Sequence, residues 1–213
     1  MKTEKKEALA EFHRRTIQRA AEELFLEKGV DATSADEIAR HAGYSKATLY
    51  VYFRSKSDIW NSILLSAMRE LRDKVDAATQ TTQGDGGFGE QYLALCRALQ
   101  EFSEENPLYF ESLLGMIPLE DDETSQQIFT TGEEVTNLVG QMIAKGVEEG
   151  AVRADVQFPE ITMVFWACIS GWIRMVNQKE TYLLSVFGSN KESLLLYGFT
   201  TILQSVIAPS INK

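Results

Sequence analysis

Residues 32–60 read ATSADEIARHAGYSKATLYVYFRSKSDIW. Ser34-Ala35-Asp36-Glu37 has the S-x-x-E form of a capping box, which predicts a short helix carrying Ile38 and Ala39 inward and stopping at Gly43. Ser45 then caps a helix from Lys46 to about Phe53, and Ser55 with Asp58 opens a longer one running to about Ala78. Two short helices joined by a tight Gly43-Tyr44 turn have the local form of a helix-turn-helix.

On the helix after that turn, Leu49 and Phe53 are four apart and face inward, leaving Lys46, Ala47, Thr48, Tyr50, Val51 and Tyr52 toward the other sides. Each of these types has a use on DNA. Lys46 can donate to guanine O6 or N7, Thr48 can bond a base edge or a phosphate, and Ala47 and Val51 can touch a thymine methyl. The hydroxyls of Tyr50 and Tyr52 suit phosphates, as does Lys56 at the start of the next helix. Ser34 and Ser45 mark helix N-termini, whose backbone amides attract phosphate oxygens. Composition alone leaves two readings open: a DNA-reading helix, or a small polar helix between two larger ones.

Outward from this stretch the pattern stays helical. Ile17, Ala20, Ala21, Leu24 and Phe25 form one stripe of a helix that Gly29 ends. Residues 79–89, rich in Thr, Gln, Asp and Gly, read as a loop, and the Gly-Lys-Ser/Thr of a phosphate-binding loop is missing from them. Five further helices are expected at roughly 90–105, 107–117, 123–149, 159–178 and 190–208, with Pro107 and Pro159 at first helical positions and a Ser189-x-x-Glu192 capping box before the last. The acidic run Glu120–Glu123 reads as a solvated loop and helix start. No run sustains strand alternation. The fold class is therefore all-α, with about nine helices.

Length and charge bound the function. The 213 residues suffice for one large or two modest domains. Net charge is −10, yet residues 1–60 carry eleven Lys/Arg and ten Asp/Glu, so the acidity lies in the back of the chain. A local cationic face is enough for DNA, because exposed charges act over about one Debye length, ~8–10 Å. Cys96 and Cys168 are far apart and form no C-x-x-C pair, which suits a reducing cytosol. The start of the chain is polar, and the longest apolar run, 161–176, is interrupted by Arg174 and short of the ~20 residues that span a bilayer. These features make a cytoplasmic protein without membrane attachment the expectation.

The 32–60 string resembles the DNA-binding segment of the TetR/AcrR family, through Ile38-Ala39, Ala42-Gly43, Ser45-Lys46, Thr48-Leu49-Tyr50, Tyr52-Phe53 and Ser55-Lys56. The likeness is strong over about residues 12–65. It implies an all-helical dimer of roughly nine helices, three forming a DNA-binding head and the fourth joining it to a ligand-binding body. On that pattern the domains are 1–55, the helix-turn-helix head, and 56–213, the effector-binding and dimerisation body. The matched DNA-contact positions are Lys46, Ala47, Thr48, Tyr50, Tyr52 and Lys56. Ala47 and Val51 depart from the residues common there, which bears on which bases are read.

The body is rich in aromatic and methionine side chains that either fill a core or line an apolar cavity. Phe102, Phe110, Met142, Phe165 and Trp166 are the candidate lining for a hydrophobic or amphipathic effector. The small pair Ala167 and Gly171, with a stripe of Leu195, Phe199, Ile202 and Val206, offers two helices for a four-helix bundle. Packing within one subunit explains them equally well, and it is the family resemblance that favours a homodimer. The only histidines, His13 and His41, form no metal motif, and no nucleophile-elbow, Walker or dinucleotide signature appears, so neither catalysis nor a cofactor is expected. The expected function is a ligand-responsive regulator released from a palindromic double-stranded operator. The alternative is a DNA-binding protein with a structural or partner-binding role and no effector.

Overall fold

The computed structural model describes residues 2–80, 87–113, 122–188 and 190–208. Among them are ten helices: α1 (Lys2–Lys28), α2 (Ala35–His41), α3 (Lys46–Tyr52), α4 (Lys56–Thr79), α5 (Gly87–Glu105), α6 (Pro107–Leu113), α7 (Glu123–Glu148), α8 (Glu160–Gln178), α9 (Glu180–Phe187) and α10 (Lys191–Gln204). The chain divides into two compact units. One holds residues up to Met68 with 122–128, the other the remaining described residues.

The first unit is built on the α1 stripe, whose Ile17, Ala20, Ala21, Leu24 and Phe25 are buried with Ile38, Leu49, Phe53 and Ile59. Gly29, at φ +86°, ends α1, and the Thr33 hydroxyl donates to the Gly29 carbonyl at 2.8 Å, tying the loop back to the helix end. α2 stops in a Schellman turn: Tyr44 N–H donates to Ala39 O at 2.8 Å and Gly43 N–H to Arg40 O at 3.1 Å, with Gly43 at φ +75°. The unit extends past the expected limit at residue 55 because the first turns of α4 belong to it. Trp60 packs edge-on against Phe25 at 5.7 Å, and Gln18 Nε2 donates to Ser62 Oγ at 3.0 Å.

The second unit surrounds a core that includes Tyr92, Leu95, Leu99 and Phe102 of α5 with Phe165, Ile169 and Ile173 of α8. Close approach depends on glycine at Gly146 and Gly198, among others. A Cβ on Gly146 would stand 2.7 Å from the Phe88 ring and 2.8 Å from Val152, and one on Gly198 would collide with the Trp172 indole, whose Nε1 donates to Leu194 O at 3.1 Å.

Several expectations change here. The turn-rich 79–89 stretch already becomes α5 at Gly87; residues 81–86 lie outside the described ones, as do 114–121 and so the end expected for α6. α10 is capped by Asn190, whose Oδ1 accepts from Ser193 N–H at 2.8 Å, in place of the expected Ser189–Glu192 box; Ser189 lies outside the described residues. α9 was not expected. Its sequence, ETYLLSVF, spans barely two turns, too short a stretch for the apolar positions to reveal a helical period. On α10 and just beyond it, Leu195, Phe199 and Val206 are 1–2% exposed and Ile202 is half-buried, so the stripe offered for a partner packs inside the chain.

Candidate DNA interface

α3 is anchored from below and capped from one end. Leu49 and Phe53 are buried, while Lys46, Ala47, Tyr50 and Val51 are exposed and Thr48 and Tyr52 half-buried. Ser45 Oγ accepts from Thr48 N–H at 3.1 Å and bonds Thr48 Oγ1 at 2.8 Å, so both hydroxyls are oriented by the cap. Ser34 does the same for α2, accepting from Glu37 N–H at 3.3 Å while Glu37 accepts Ser34 N–H at 2.9 Å. Ion pairing with Lys28, followed by the Ser34 bonds, lowers the Glu37 pKa to about 2.

Lys46 Nζ lies 2.9 Å from Asp36 Oδ2, an exposed pair in which hydrogen bonding to the carboxylate raises the Lys46 pKa. A base or phosphate that engages this ammonium must compete with Asp36.

Lys56 differs from the sequence expectation. Its Nζ donates to Val30 O at 2.7 Å, to Thr33 O at 2.8 Å and to Asp31 O at 3.5 Å. An ammonium has three N–H donors. All three face main-chain carbonyls of the α1–α2 loop, so Lys56 is a staple of the head where a phosphate contact was expected.

Other groups escaped the sequence reading. The Tyr44 hydroxyl is hydrogen-bonded to His13 Nδ1 at 2.6 Å, and the His13 ring lies 5.3 Å from that of Tyr52. α1 thus supports two tyrosines of the α2–α3 region from beneath. The Arg14 guanidinium sits 5.2 Å from the centre of the Phe53 ring. Arg14 and Arg54, with Tyr50 and Tyr52, border a recess of 280 Å³ closed on one side by Asp122 and Glu123. His41 Nε2 pairs with Glu23 at 2.7 Å. The only sequence signal for His13 and Arg14 was their place four and three residues before Ile17 of the α1 core stripe.

The five candidate effector residues of the second unit are not brought together. Phe102 and Phe110 are buried core rings. Met142 borders an open recess of 310 Å³ with Asp76, Gln91, Gln141 and Lys145. Phe165 and Trp166 do line one cavity, with Leu95, Leu99, Val139 and Thr162, but its volume is only about 30 Å³. Ala167 and Gly171 lie exposed on α8, and a Cβ on Gly171 would meet nothing within 4 Å.

Comparison with known proteins agrees with this geometry. Residues 17–63, the end of α1 through the first turns of α4, match the family model described as bacterial regulatory proteins, tetR family. The HTH-type transcriptional repressor BepR of Brucella suis biovar 1 is 30% identical over 146 residues, 67% of this chain and 60% of BepR. The HTH-type transcriptional activator FasR of Mycolicibacterium smegmatis is 27% identical over 135 residues, 63% of this chain and 60% of FasR. The chain therefore spans less than two thirds of the length of either. The TetR-family regulator PfmR of Thermus thermophilus superposes with a TM-score of 0.69 at 25% identity, covering 89% of this chain and 94% of PfmR. A capped helix-turn-helix over a buried α1 stripe, the family match across it and a shared all-helical architecture agree: the chain belongs to the TetR family of bacterial regulatory proteins.

Proposed function

We propose that the protein is a homodimeric DNA-binding transcription regulator, a repressor released from a near-palindromic operator when a small apolar or amphipathic molecule binds its body. The observation that carries the DNA reading is the exposed face of α3. Lys46, Ala47, Tyr50 and Val51 project from a helix whose opposite face is locked into a core and whose N-terminus is capped by Ser45. One such helix reads only a few base pairs, so a two-fold partner is needed, with half-sites about one helical turn apart (~34–36 Å) or a multiple of it. The surface that supports dimerisation is not the stripe first read on α10. It is the outward face of α8, where Val164, Ala167, Cys168, Gly171 and Met175 recur at helical spacing and stay exposed, with Leu196 and Tyr197 exposed on the neighbouring α10.

Effector release rests on α4, an unbroken helix from Lys56 to Thr79 that begins in the DNA-binding unit. A ligand that prefers the released conformation shifts the equilibrium by its differential affinity, ~1–3 kcal/mol in typical cases. One observation favours the second reading, a regulator without an effector. A cavity of about 30 Å³ is far below the ~300–1,000 Å³ of ordinary ligand sites. An effector must therefore open the body as it binds.

The test is selection of a duplex site from random DNA, followed by titration with and without compounds found by thermal shift. Tyr50→Ala is expected to weaken binding to the selected site about tenfold or more. Unchanged affinity would remove α3 from the interface, and a wild type that is monomeric by light scattering at micromolar concentration would remove the dimer. Compounds that bind tightly and leave site affinity unchanged would favour the effectorless regulator.

A further inference from the structure

The small cavity of the second unit has one polar feature that its packing does not explain. It is walled by Leu95 and Leu99 of α5, Val135, Thr136 and Val139 of α7, and a face of α8 that carries Thr162, Phe165 and Ile169. No charged side chain lines it. Thr162 is 4% exposed, and its hydroxyl has no hydrogen-bond partner. The other threonine of the wall, Thr136, is satisfied by donating to Gly132 O at 3.0 Å. A helical threonine ordinarily bonds a carbonyl one turn back or reaches solvent; Thr162 does neither. An unpaired buried hydroxyl costs stability that a valine of the same shape would not.

A second such group lies behind the same wall. Tyr92 is fully buried, its ring packed edge-on against Phe165 at 5.2 Å, and its hydroxyl has no hydrogen-bond partner. Both groups sit in deeply apolar surroundings, where burial pushes the Cys96 thiol up to about 12 and raises the Tyr92 phenol as well. Such a place penalises charge and rewards a neutral hydrogen bond. On the outer side the wall is soft: Met163 is 52% exposed and Trp166 half-buried, so both can swing outward and enlarge the space without breaking the core.

We propose that this cavity is the seat of the effector site, and that it selects an uncharged, mainly hydrocarbon molecule bearing one hydroxyl or carbonyl group, which pairs with the Thr162 hydroxyl. The proposal rests on the effector reading above and adds the ligand's class and the residue that specifies it. A carboxylate is rejected because no cation lines the wall to replace its water. A pure hydrocarbon enters but leaves Thr162 unpaired.

The experiment crosses ligand with variant. 1-Octanol, 2-octanone, octanoate and n-hexane are titrated by calorimetry into the full-length wild type and into Thr162→Val, and the melting temperature of each protein is measured without ligand. The octanol and octanone should bind the wild type at least about tenfold more tightly than octanoate. Thr162→Val should lose about 3–10-fold of the octanol and octanone affinity, the worth of one neutral hydrogen bond, and leave hexane within about twofold. Without ligand its melting temperature should equal or exceed that of the wild type. Octanoate binding as tightly as octanol and releasing DNA would overturn this proposal and leave the effector reading standing. So would an equal loss for hexane, or a clear fall in melting temperature in Thr162→Val, which would give the hydroxyl a structural role. If none of the four binds the wild type, the site assignment falls; if compounds of other classes from the thermal-shift screen still release DNA, the effector reading survives it.

Discussion

The two units differ in how their polar groups are met: the caps and the α1–α2 loop of the first are paired, while the second holds buried groups that are not. In the DNA-binding unit, Thr33 is 2% exposed and its hydroxyl is bonded to Gly29 O, the Lys56 ammonium is divided among three carbonyls, and Ser34, Ser45 and Ser55 each accept an amide of the helix they cap. In the second unit lie all four buried side-chain atoms that lack a partner among the described residues: Tyr92 Oη, Thr162 Oγ1, Ser170 Oγ and Asn177 Oδ1. The contrast has a physical meaning. The paired caps and the loop staples of the first unit favour one presentation of α3. A unit that tolerates unmet hydrogen bonds has given up stability, and that is expected where function needs a group held in reserve.

The largest expected effect tests the first unit. Lys56→Met removes three donors from carbonyls of the α1–α2 loop, at a cost of about 2–3 kcal/mol, within the range for hydrogen bonds to charged groups. Denaturant unfolding measures it. If Lys56 instead contacts phosphate, stability stays and the salt dependence of DNA binding falls by about one charge.

In the second unit, Gly198→Ala drives a Cβ into the Trp172 indole and threatens its bond to Leu194 O. Overpacking costs about 1–3 kcal/mol, partly offset by alanine's helix preference of about 1 kcal/mol. Thermal unfolding followed by tryptophan emission reports both terms; a stabilised variant would show that Trp172 moves aside freely.

A smaller effect belongs to the α2 cap. The Glu37 pKa is lowered in the folded protein, so its contribution is complete above the ordinary value of 4.5 and is lost as pH falls toward about 2. Over that window the melting temperature of the wild type should fall more steeply than that of Glu37→Gln. Parallel curves would show that the box contributes nothing beyond its uncharged hydrogen bonds.

The smallest effect is expected at Ser170, fully buried with an unpaired hydroxyl. Ser170→Ala should leave stability within about 0.5 kcal/mol of the wild type or raise it. A loss beyond about 1 kcal/mol would mean that the hydroxyl has a partner, and the contrast between the units would weaken.

What the sequence determined by itself were the features whose causes lie within one helical turn. Ser34, Ser45 and Ser55 cap the residues three positions on, Gly29 and Gly43 end their helices at positive φ, and Leu49 and Phe53 separate the inner face of α3 from the outer. Both the period of a helix and its caps are local, so one strand of text contains them. Only the tertiary structure decided where Lys56 points, because its carbonyls lie 23–26 residues earlier in the chain. It also decided which face of α10 is inside, since an apolar stripe looks the same whether it meets its own chain or another. And it decided that Phe102 and Phe110 fill the core while Phe165 and Trp166 border a cavity with Thr162. A cavity is a mismatch between side chains from three helices, and no single helix carries the information for it.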